Sequence, residues 1–550
     1  MPTENAFLGF GHPAVVSVAA VLVISRALQE TRLVNWLVRL LARARRTPTT
    51  QVAAGSGLTL ALSAVMNNIG ALALMLPVTI RNAALANRPA SLLLIPLSFA
   101  SMLGGLITLI GTPPNLVVSA FRAEYVGEPF RMLDFAPVGL AVAVVGLAYL
   151  SMLGWRLLPV QETEQSATRL LRKLTPFVAE VRLPEGSSFN DQQVQHIEEA
   201  CDNEITIMTI LRHGDQILAP RPIAPLRAGD ILVIKGDPAV WEPLCDGKQF
   251  DLLSRSDVSG LAIRLQDALI AEAVVMPNSP LERRSARNIR MHTDYGVNLL
   301  ALARRGEAQS RLKNRQFQVG DTLLVQGERS SLETALANLG CLILAEGGGT
   351  GHAGQRSALL PIAIFIVALV AAALGLASVP ISLASAVAAL ILTRTISLQE
   401  AYESIDWPII VLIGALIPIG QAMKSTGAAG VIAGQLIAVT GAMPLWAIIA
   451  LIMAVSMWLS DLIHNTPTAV LMAPLSAGIA EGLKLSVDPF LMAVAVGSAS
   501  AYFTPIGHQT NTLVMGPGSY RFTDYTRVGI GLELLILLVG VPMIVFVWPA

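Results

Sequence analysis

Long apolar stretches separated by short polar breaks dominate both ends of the chain, over residues 1–158 and 358–550. A helix that crosses a bilayer needs about 20 mostly apolar residues. We predict apolar helical elements over residues 13–28, 51–66, 69–80, 91–120, 135–158, 359–377, 381–393, 408–423, 445–463, 467–479, 490–515 and 528–548. Residues 31–46 and 427–440 are predicted to lie on the membrane surface. The pattern predicts a polytopic α-helical membrane protein.

Four polar breaks interrupt these apolar stretches, and they recur in the same order in both halves. They are residues 67–68 and 111–115 in the first half, and 464–465 and 504–511 in the second. Further matches keep this order: Thr108 with Thr504, Gly111 with Gly507, Asn115 with Asn511, Arg131 with Arg521, Asp134 with Asp524, and Gly139 with Gly529. We interpret the two halves as an internal repeat.

Positive charge indicates how the halves are oriented, since cytoplasmic loops carry an excess of Lys and Arg. Arg43, Arg45 and Arg46 precede the first broken hairpin, and Arg81 and Arg88 follow it. Both ends of this hairpin are therefore predicted to face the cytoplasm, which makes it re-entrant. Counting crossings from there puts a second re-entrant hairpin on the outer side. The repeat is then inverted, as in many secondary transporters.

The charged residues concentrate in the middle of the chain. Residues 161–350 hold 46 of the 76 charged side chains (38 basic and 38 acidic), so the formal net charge of zero averages over unlike parts. The whole chain is 53% hydrophobic and 14% charged, with a mean hydropathy of +0.60. This composition excludes a disordered protein, a disulfide scaffold and a nucleic-acid-binding protein. Cys201, Cys245 and Cys341 all lie in the middle region and are predicted to be reduced thiols in a cytosolic compartment.

We therefore divide the chain into five parts: a first membrane half (1–158), two soluble domains (161–258 and 259–346), a Gly-rich linker (347–357) and a second membrane half (358–550). Each soluble domain opens with an alternating strand and ends with a Gly-Asp pair before a β-rich run, which is typical of a hairpin turn. The two domains resemble the tandem C-terminal regulatory domains of potassium-transport regulators (the RCK-C or TrkA-C type). This resemblance implies an inserted region of small α/β units that pair and can bind a small-molecule effector.

The polar breaks are where transport chemistry is expected. Backbone without helical hydrogen bonds is costly in lipid unless it is buried in protein or lines a wet cavity. Freed carbonyls with Asn, Ser and Thr oxygens suit a hard monovalent cation, whereas the N-termini of half-helices suit an anion. No array of carboxylates is present to hold a polyvalent cation, and no nucleophile–base pair suggests an enzyme. The residues themselves favour a cation-coupled anion carrier.

At these breaks the chain resembles the divalent-anion/sodium symporter family of the ion-transporter superfamily. The resemblance rests on Met66-Asn67-Asn68 with Pro77, on 111–115, on Asn465-Thr466 and on 504–511. It implies an elevator-type fold on a dimeric scaffold, with sodium as the coupling ion and no other cofactor. It further implies one sodium site at Ser63, Asn67, Asn68 and Gly111, and a second at Ser460, Asn465 and Gly507. The anion would meet Asn68, Thr112, Asn115, His464, Asn465, Thr466, Thr510 and Asn511.

Several points stay open at this stage. The hairpin tips read Asn67-Asn68-Ile69 and His464-Asn465-Thr466 where the family has Ser-Asn-Thr, so sulfate and a dicarboxylate are both candidate substrates. Asp461 and His508 are candidate coupling residues, with a structural hydrogen bond and polar packing as the alternatives. A ligand-gated cation channel and a proton-coupled or metalloid efflux carrier are the alternative functions.

The expected location is the inner cell membrane, with the inserted domains in the cytoplasm. The expected partners are the lipid bilayer, the anion, a second copy of the chain and a small effector. Because Pro408 matches Pro13, the first half lacks counterparts of the helices at 359–377 and 381–393. We therefore expect further apolar codons in frame upstream of Met1.

Overall fold

The computed structural model describes most of the chain in two units. The described residues are 7–11, 13–29, 47–160, 178–201, 205–212, 215–218, 220, 223–235, 238–255, 268–304, 307–309, 315–346, 359–405, 407, 410–411, 414–415, 418, 426 and 443–549. One unit comprises residues 1–160, 354–514 and 521–550, and the other 161–353 with 515–520. The predicted surface helices at 31–46 and 427–440, most of the predicted element at 408–423 and the linker at 347–357 lie outside the described residues.

The first unit is helical. Its first half contains α1 (Pro13–Gln29), α2 (Pro48–Ser63), α3 (Asn68–Leu85), α4 (Leu94–Gly105), α5 (Pro113–Val126) and α6 (Ala136–Met152). Local signals set these bounds: Thr47 accepts a hydrogen bond from Thr50 N to cap α2, and Thr112 precedes two prolines at the start of α5. Pro at the first helical positions costs no backbone hydrogen bond.

The remainder of this unit begins with three further helices and then repeats the order of α2 to α6 in α10 to α14. It contains α7 (Leu359–Ala373), α8 (Val379–Leu392), α9 (Leu398–Glu403), α10 (Leu445–Ile463), α11 (Asn465–Leu483), α12 (Asp488–Ser498), α13 (Gln509–Met515) and α14 (Phe522–Val547). Among the described residues, three helices are long and apolar enough to cross a membrane: Asn68–Leu85, Leu445–Ile463 and Phe522–Val547. The predicted helical character of both halves is confirmed.

Packing within the first unit follows the same order in both halves. Every residue of α4 is buried, as is nearly all of α12, and these helices form the centre. α2 packs on α4 and α10 packs on α12, while α6 packs on α14. Two matched glycines let α6 and α14 approach the backbone that follows α4 and α12: a Cβ at Gly139 would collide with Leu106 O, and one at Gly529 with Tyr502 O.

The breaks near 111 and 507 begin earlier than the sequence pattern predicts. Helix α4 ends at Gly105 and α5 starts at Pro113, so the first break covers 106–112; the second covers 499–508, between α12 and α13. Asn115 and Asn511 therefore lie inside the first turn of the following helix, and their predicted position in the break is wrong. The pattern did not reveal the early helix ends, because the residues from 106 to 110 are almost all apolar.

The second unit contains two five-stranded antiparallel sheets. The strands are β1 (Val178–Arg182), β2 (Thr206–Arg212), β3 (Asp215–Leu218), β4 (Ile231–Lys235), β5 (Asp251–Arg255), β6 (Ala268–Val275), β7 (Asn298–Arg304), β8 (Glu307–Ala308), β9 (Thr322–Glu328) and β10 (Cys341–Glu346). Their orders are β3-β2-β4-β1-β5 and β10-β6-β9-β7-β8. Read from β8, the second sheet repeats the topology of the first, strand for strand. Each sheet packs one face on its own apolar core.

The Gly-Asp pairs form turns, but these turns do not close hairpins. Gly229 and Gly320 have φ values of +84° and +82°, which glycine adopts without strain. The strands that follow pair with β1 and β2 or with β6 and β7, not with the strand immediately before the turn. The predicted turns are thus confirmed and the predicted hairpins are wrong.

An ion pair supports each of these turns. Arg304 donates two hydrogen bonds to Asp321, of 2.8 and 2.7 Å, and the matching pair is Arg212 with Asp230, at 2.8 and 2.6 Å. The hydrogen bonds from Arg304 to Asp321 raise the pKa of the guanidinium, against the lowering effect of burial. The carboxylates are buried while the arginines stay partly exposed.

Candidate functional site

The side chain of Asn68 lies at the centre of a buried polar cluster in the first unit. One end of its amide lies 2.8 Å from Ser63 Oγ, 3.0 Å from Ser101 O and 3.2 Å from Gly111 O, and the other end lies 3.3 Å from His508 Nε2. We call Ser63, Asn68, Ser101, Gly111 and His508 the Asn68 cluster. It brings together the first residue of α3, the ends of α2 and α4, and both helical breaks.

Chemistry fixes the orientation of this amide. Ser101 O and Gly111 O can only accept hydrogen bonds, so the end of the amide that faces them is the NH₂ group. The carbonyl oxygen of Asn68 then faces His508, whose Nε2 must carry a proton. The other ring nitrogen agrees, because His508 Nδ1 lies 3.2 Å from Thr510 N, which can only donate. His508 is therefore the neutral Nε2–H tautomer in this arrangement.

Gly105 makes room for the Asn68 cluster. A Cβ at this position would collide with the Asn68 amide and would lie 3.2 Å from Gly111 O. A Cβ at Gly111 would in turn lie 2.6 Å from Gly105 O. Glycine at both positions is what allows two pieces of backbone and one amide to meet here. The Ser63, Asn68 and Gly111 part of the predicted sodium site is brought together.

Asn67 is the one member of that predicted site that points elsewhere. Its Oδ1 accepts a hydrogen bond of 2.7 Å from Gly70 N, which caps α3, and another of 3.4 Å from Ser25 Oγ. Capping by Asn at this position satisfies an open N–H group of the first helical turn. The side chain of Asn67 is thus engaged in holding the hairpin tip, next to α1.

The second predicted sodium site is less assembled. Ser460 Oγ donates to Ser498 O at 2.6 Å, and a Cβ at Gly507 would lie 3.0 Å from Ser460 O, so these residues meet. Asn465 does not join them through its side-chain oxygen, which accepts from Thr466 N at 2.8 Å. The two halves thus differ here: the side chain of Asn68 joins its cluster, whereas the side chain of the matching Asn465 is bonded to its own neighbour.

Asp461 binds backbone at the second break. Its Oδ1 accepts from Phe503 N at 3.2 Å and from Thr504 N at 3.1 Å, while Thr504 Oγ1 donates to the Asp461 carbonyl at 2.9 Å. Glu533 on α14 adds an acceptor for Tyr502 N at 3.0 Å. These carboxylates accept hydrogen bonds from N–H groups of the break after α12, where no helical partners are present. Sequence reasoning missed Glu533, because an acid in a helix near a terminus gives no local signal of its distant partner.

Asn115 and Asn511 act as matched clamps. Asn115 Nδ2 donates to Gly105 O and Thr108 O at 3.2 and 2.9 Å, and Asn511 Nδ2 donates to Ala501 O and Thr504 O at 3.0 and 3.1 Å. Each amide thereby ties its helix to the break before it. Ser98 Oγ donates to Asn511 Oδ1 at 2.7 Å, across the two halves. The buried Asn115 Oδ1 has no partner among the described residues.

The candidate anion contacts lie at helix N-termini. Thr112 is fully buried at the start of α5, and its hydroxyl has no hydrogen-bond partner among the described residues. Thr466 is buried in the first turn of α11. Thr510 is buried in the first turn of α13, and its Oγ1 lies 2.8 Å from His508 Nδ1. His464 is exposed, with a φ of +73°. The open N–H groups and positive dipole of a helix N-terminus favour an anion.

Several side-chain hydrogen bonds occur at matching positions in the two halves. Thr108 Oγ1 donates to Ala64 O at 2.6 Å, as Thr504 Oγ1 does to Asp461 O. The backbone N of Arg131 donates to Asp134 at 2.7 Å, and that of Arg521 to Asp524 at 2.8 Å. Together with the matching order of helices, these bonds mean that the two halves share the same local structure.

Comparison with known proteins agrees with a membrane carrier. Residues 1–497 match the family model described as citrate transporter, CitMHS. An uncharacterized transporter of Synechocystis is 30% identical over 99% of this chain and 90% of its own length. The sodium/sulfate cotransporter 1 of Chlamydomonas reinhardtii is 28% identical over 48% of this chain and 32% of its own length.

One solved structure also aligns with nearly the whole chain. The crystal structure of the YdaH transporter of Alcanivorax borkumensis covers 99% of this chain and 88% of its own, with a TM-score of 0.44 and 13% identity. Residues 1–497 match this family model, and a relative that is 30% identical aligns over 99% of the chain. The chain therefore belongs to the citrate transporter (CitMHS) family of membrane transporters.

Proposed function

We propose that this protein is a sodium-coupled symporter of a small divalent anion, either sulfate or a dicarboxylate. One observation carries the proposal: two adjacent residues of one helical break suit ions of opposite charge. The carbonyl of Gly111 faces the oxygens around Asn68, whereas Thr112 brings a buried hydroxyl, unpartnered among the described residues, to the N-terminus of α5. A cation and an anion bound at neighbouring residues stabilise each other, which couples their transport.

Sodium fits the oxygens of the Asn68 cluster. Ser63 Oγ, Ser101 O and Gly111 O all lie around one end of the Asn68 amide, which can present its own oxygen to a cation beside them by turning. A set of neutral oxygens, with no carboxylate among the cluster's members, suits a monovalent hard cation better than a divalent one. The second sodium, proposed at Ser460, Asn465 and Gly507, requires the Asn465 side chain to leave Thr466.

The proposed transport cycle is of the elevator type, in a homodimer within the inner membrane. Support comes from the matching hairpins and breaks, which suit an inverted repeat with the site near the bilayer centre. At 1.5 Å per residue, the 16 residues of α2 extend about 24 Å, less than the roughly 30 Å of bilayer hydrocarbon. This length suits one arm of a re-entrant hairpin, whereas the other arm, α3, is long enough to cross a membrane by length and composition.

Uptake into proteoliposomes tests the proposal. Labelled sulfate and labelled succinate are offered with an inward sodium gradient, or with choline in place of sodium. We expect sodium to accelerate the uptake of at least one of the two anions. Thr112→Val should raise the KM for that anion, because the valine keeps the shape and loses the hydroxyl. If neither anion enters faster with sodium, the coupling ion or the substrate class is wrong.

We further propose that the inserted domains are cytoplasmic regulators of the RCK-C type that bind a small polar effector. Two buried amides of the second sheet are its candidate contacts. Gln326 is fully buried with both amide ends lacking partners among the described residues, and Asn298 lies opposite it on β7. Because Asn and Gln amides pair with adenine edges, AMP is a suitable first probe. It should raise the melting temperature of the wild type but not of Gln326→Met, and equal shifts would contradict this placement.

A further inference from the structure

His508 contacts the proposed sodium site from the other half of the chain. Its Nε2 lies 3.3 Å from the Asn68 amide, and its Nδ1 lies 3.2 Å from Thr510 N and 2.8 Å from Thr510 Oγ1. The matching position in the first half is Thr112, which has no ring to make such a link. The chain of contacts runs from Asn68 through His508 to Thr510, all of it buried.

The Asn68 amide has two states with opposite demands on His508. When the NH₂ group lies among Ser63 Oγ, Ser101 O and Gly111 O, the Asn68 carbonyl accepts from His508 Nε2–H. When a cation lies among those oxygens, the amide must present its carbonyl to the cation, because an NH₂ group would repel it. The NH₂ group then points at His508 Nε2, which must become an acceptor.

The ring meets the second demand by exchanging tautomers. Nε2 releases its proton and Nδ1 gains one through water that enters with the hydrated cation, so the ring stays neutral and no net proton is gained or lost. Nδ1–H then takes Thr510 Oγ1, at 2.8 Å, as its acceptor, and Nδ1 gives up the hydrogen bond that it accepted from Thr510 N. In the first state, by contrast, Nδ1 already accepts from Thr510 N, so the hydroxyl is dispensable.

We propose that His508 is a positioning residue that reports cation binding at Asn68 to α13 by this paired amide turn and tautomer exchange. The inference rests on the proposed sodium site and deepens it. Thr510 and Asn511 begin α13, and Asn511 is bonded to Ser98 of the first half. Cation binding in one half thereby alters the hydrogen bonds at the helix N-terminus in the other half. Ser101 O becomes a further cation ligand.

A pair of threonine variants on one helix tests the inference. Thr510→Val removes the acceptor that only the cation-bound state needs, leaving a buried Nδ1–H unpaired. A lost acceptor of this kind corresponds to about a tenfold weaker sodium affinity. Thr512→Val is the matched control, because Thr512 Oγ1 donates to Pro505 O at 2.7 Å, away from His508. Its sodium affinity should stay within about threefold of the wild type.

Sodium affinity is read without any anion, from the rise in melting temperature as sodium replaces choline at constant ionic strength. The inference is supported if Thr510→Val binds sodium with the predicted weaker affinity while Thr512→Val binds it like the wild type. Equal affinities of the two variants would overturn it. A wild type that does not respond to sodium would instead contradict the proposed function, so the two failures are distinguishable.

A second measurement needs no destabilising variant. Nitrogen-15 NMR of histidine-labelled protein in lipid separates the two neutral tautomers, and the His508 signals are those that disappear in His508→Gln. We expect the protonated nitrogen to change from Nε2 in choline to Nδ1 in saturating sodium. One unchanged tautomer in a wild type that binds sodium would overturn the inference.

Discussion

Replacing Gly105 by alanine should disable the proposed sodium site without disturbing the rest of the first unit. The new Cβ would collide with the Asn68 amide, at the end that faces Ser63, Ser101 and Gly111. The amide is the free end of a side chain, whereas the surrounding backbone of the break cannot move as easily. We therefore expect the side chain of Asn68 to be pushed out of the cluster.

The size of the effect follows from the hydrogen bonds that Asn68 would no longer make. The NH₂ end of Asn68 has three partners, at 2.8, 3.0 and 3.2 Å, and a net value of about 1 kcal/mol for each gives a loss of about 3 kcal/mol. Gly105 is the last residue of α4, so the preference of about 1 kcal/mol for alanine in a helix interior applies only in part, and the stability should fall by about 2 to 3 kcal/mol. Loss of a carbonyl that binds a cation costs about 2 kcal/mol, or about thirtyfold in sodium affinity.

The assay is the sodium-dependent rise in melting temperature of the purified protein, with choline chloride keeping the ionic strength constant. Gly55→Ala is the control, because its Cβ would lie 3.9 Å from Leu97 Cδ1, an ordinary van der Waals distance for a residue of α2. The control should bind sodium like the wild type. If Gly105→Ala also binds sodium like the wild type, Asn68 is not a ligand and the reasoning fails.

Three further predictions concern carboxylates and thiols. Asp461→Ala should lower the melting temperature and the folded yield, by about 2 kcal/mol in stability, because two backbone N–H groups lose their acceptor, while the sodium affinity of the folded protein stays within about threefold. Complete loss of transport in a fully stable variant would contradict this role. Asp321→Asn should destabilise the second sheet by about 3 kcal/mol, because Arg304 loses its ion-pair partner. The destabilisation is measured as faster proteolysis between residues 268 and 346, and an unchanged rate would refute the prediction. Burial raises the pKa of the Cys341 thiol to about 12, so at pH 8 iodoacetamide should modify the partly exposed Cys245 first, as mass spectrometry can show. The stability due to the neutral Cys341 thiol is present below the unfolded pKa of about 9 and is lost as the pH rises toward 12.

The positions of the helices and of the hairpin tips could be predicted because their signals are local. Apolar runs, caps and prolines lie within a few residues of the bounds that they set, as at Thr47 and Thr112. The starts of the two long breaks could not be predicted in this way. Residues 106–110 are apolar enough for a helix, although α4 ends just before them at Gly104 and Gly105.

The contacts that define the candidate site are long-range, and the sequence pattern does not contain them. Asn68 and His508 are 440 positions apart, and Ser98 and Asn511 are 413 apart. The family resemblance placed Ser63, Asn68 and Gly111 in one predicted site, and the structure brings these three residues together. It gave no reason to pair Glu533 with Tyr502, or to expect the carbonyl of Ser101 in the cluster, since any residue could supply a carbonyl.

Sodium flux driven by the anion tests the central claim most directly. Proteoliposomes with equal sodium on both sides receive an inward gradient of unlabelled sulfate or succinate, and the entry of labelled sodium is followed with the membrane potential clamped. A sodium-coupled symporter should accumulate labelled sodium above its equilibrium level, and Asn68→Ala should not. Entry of the anion without any net movement of sodium would contradict the account.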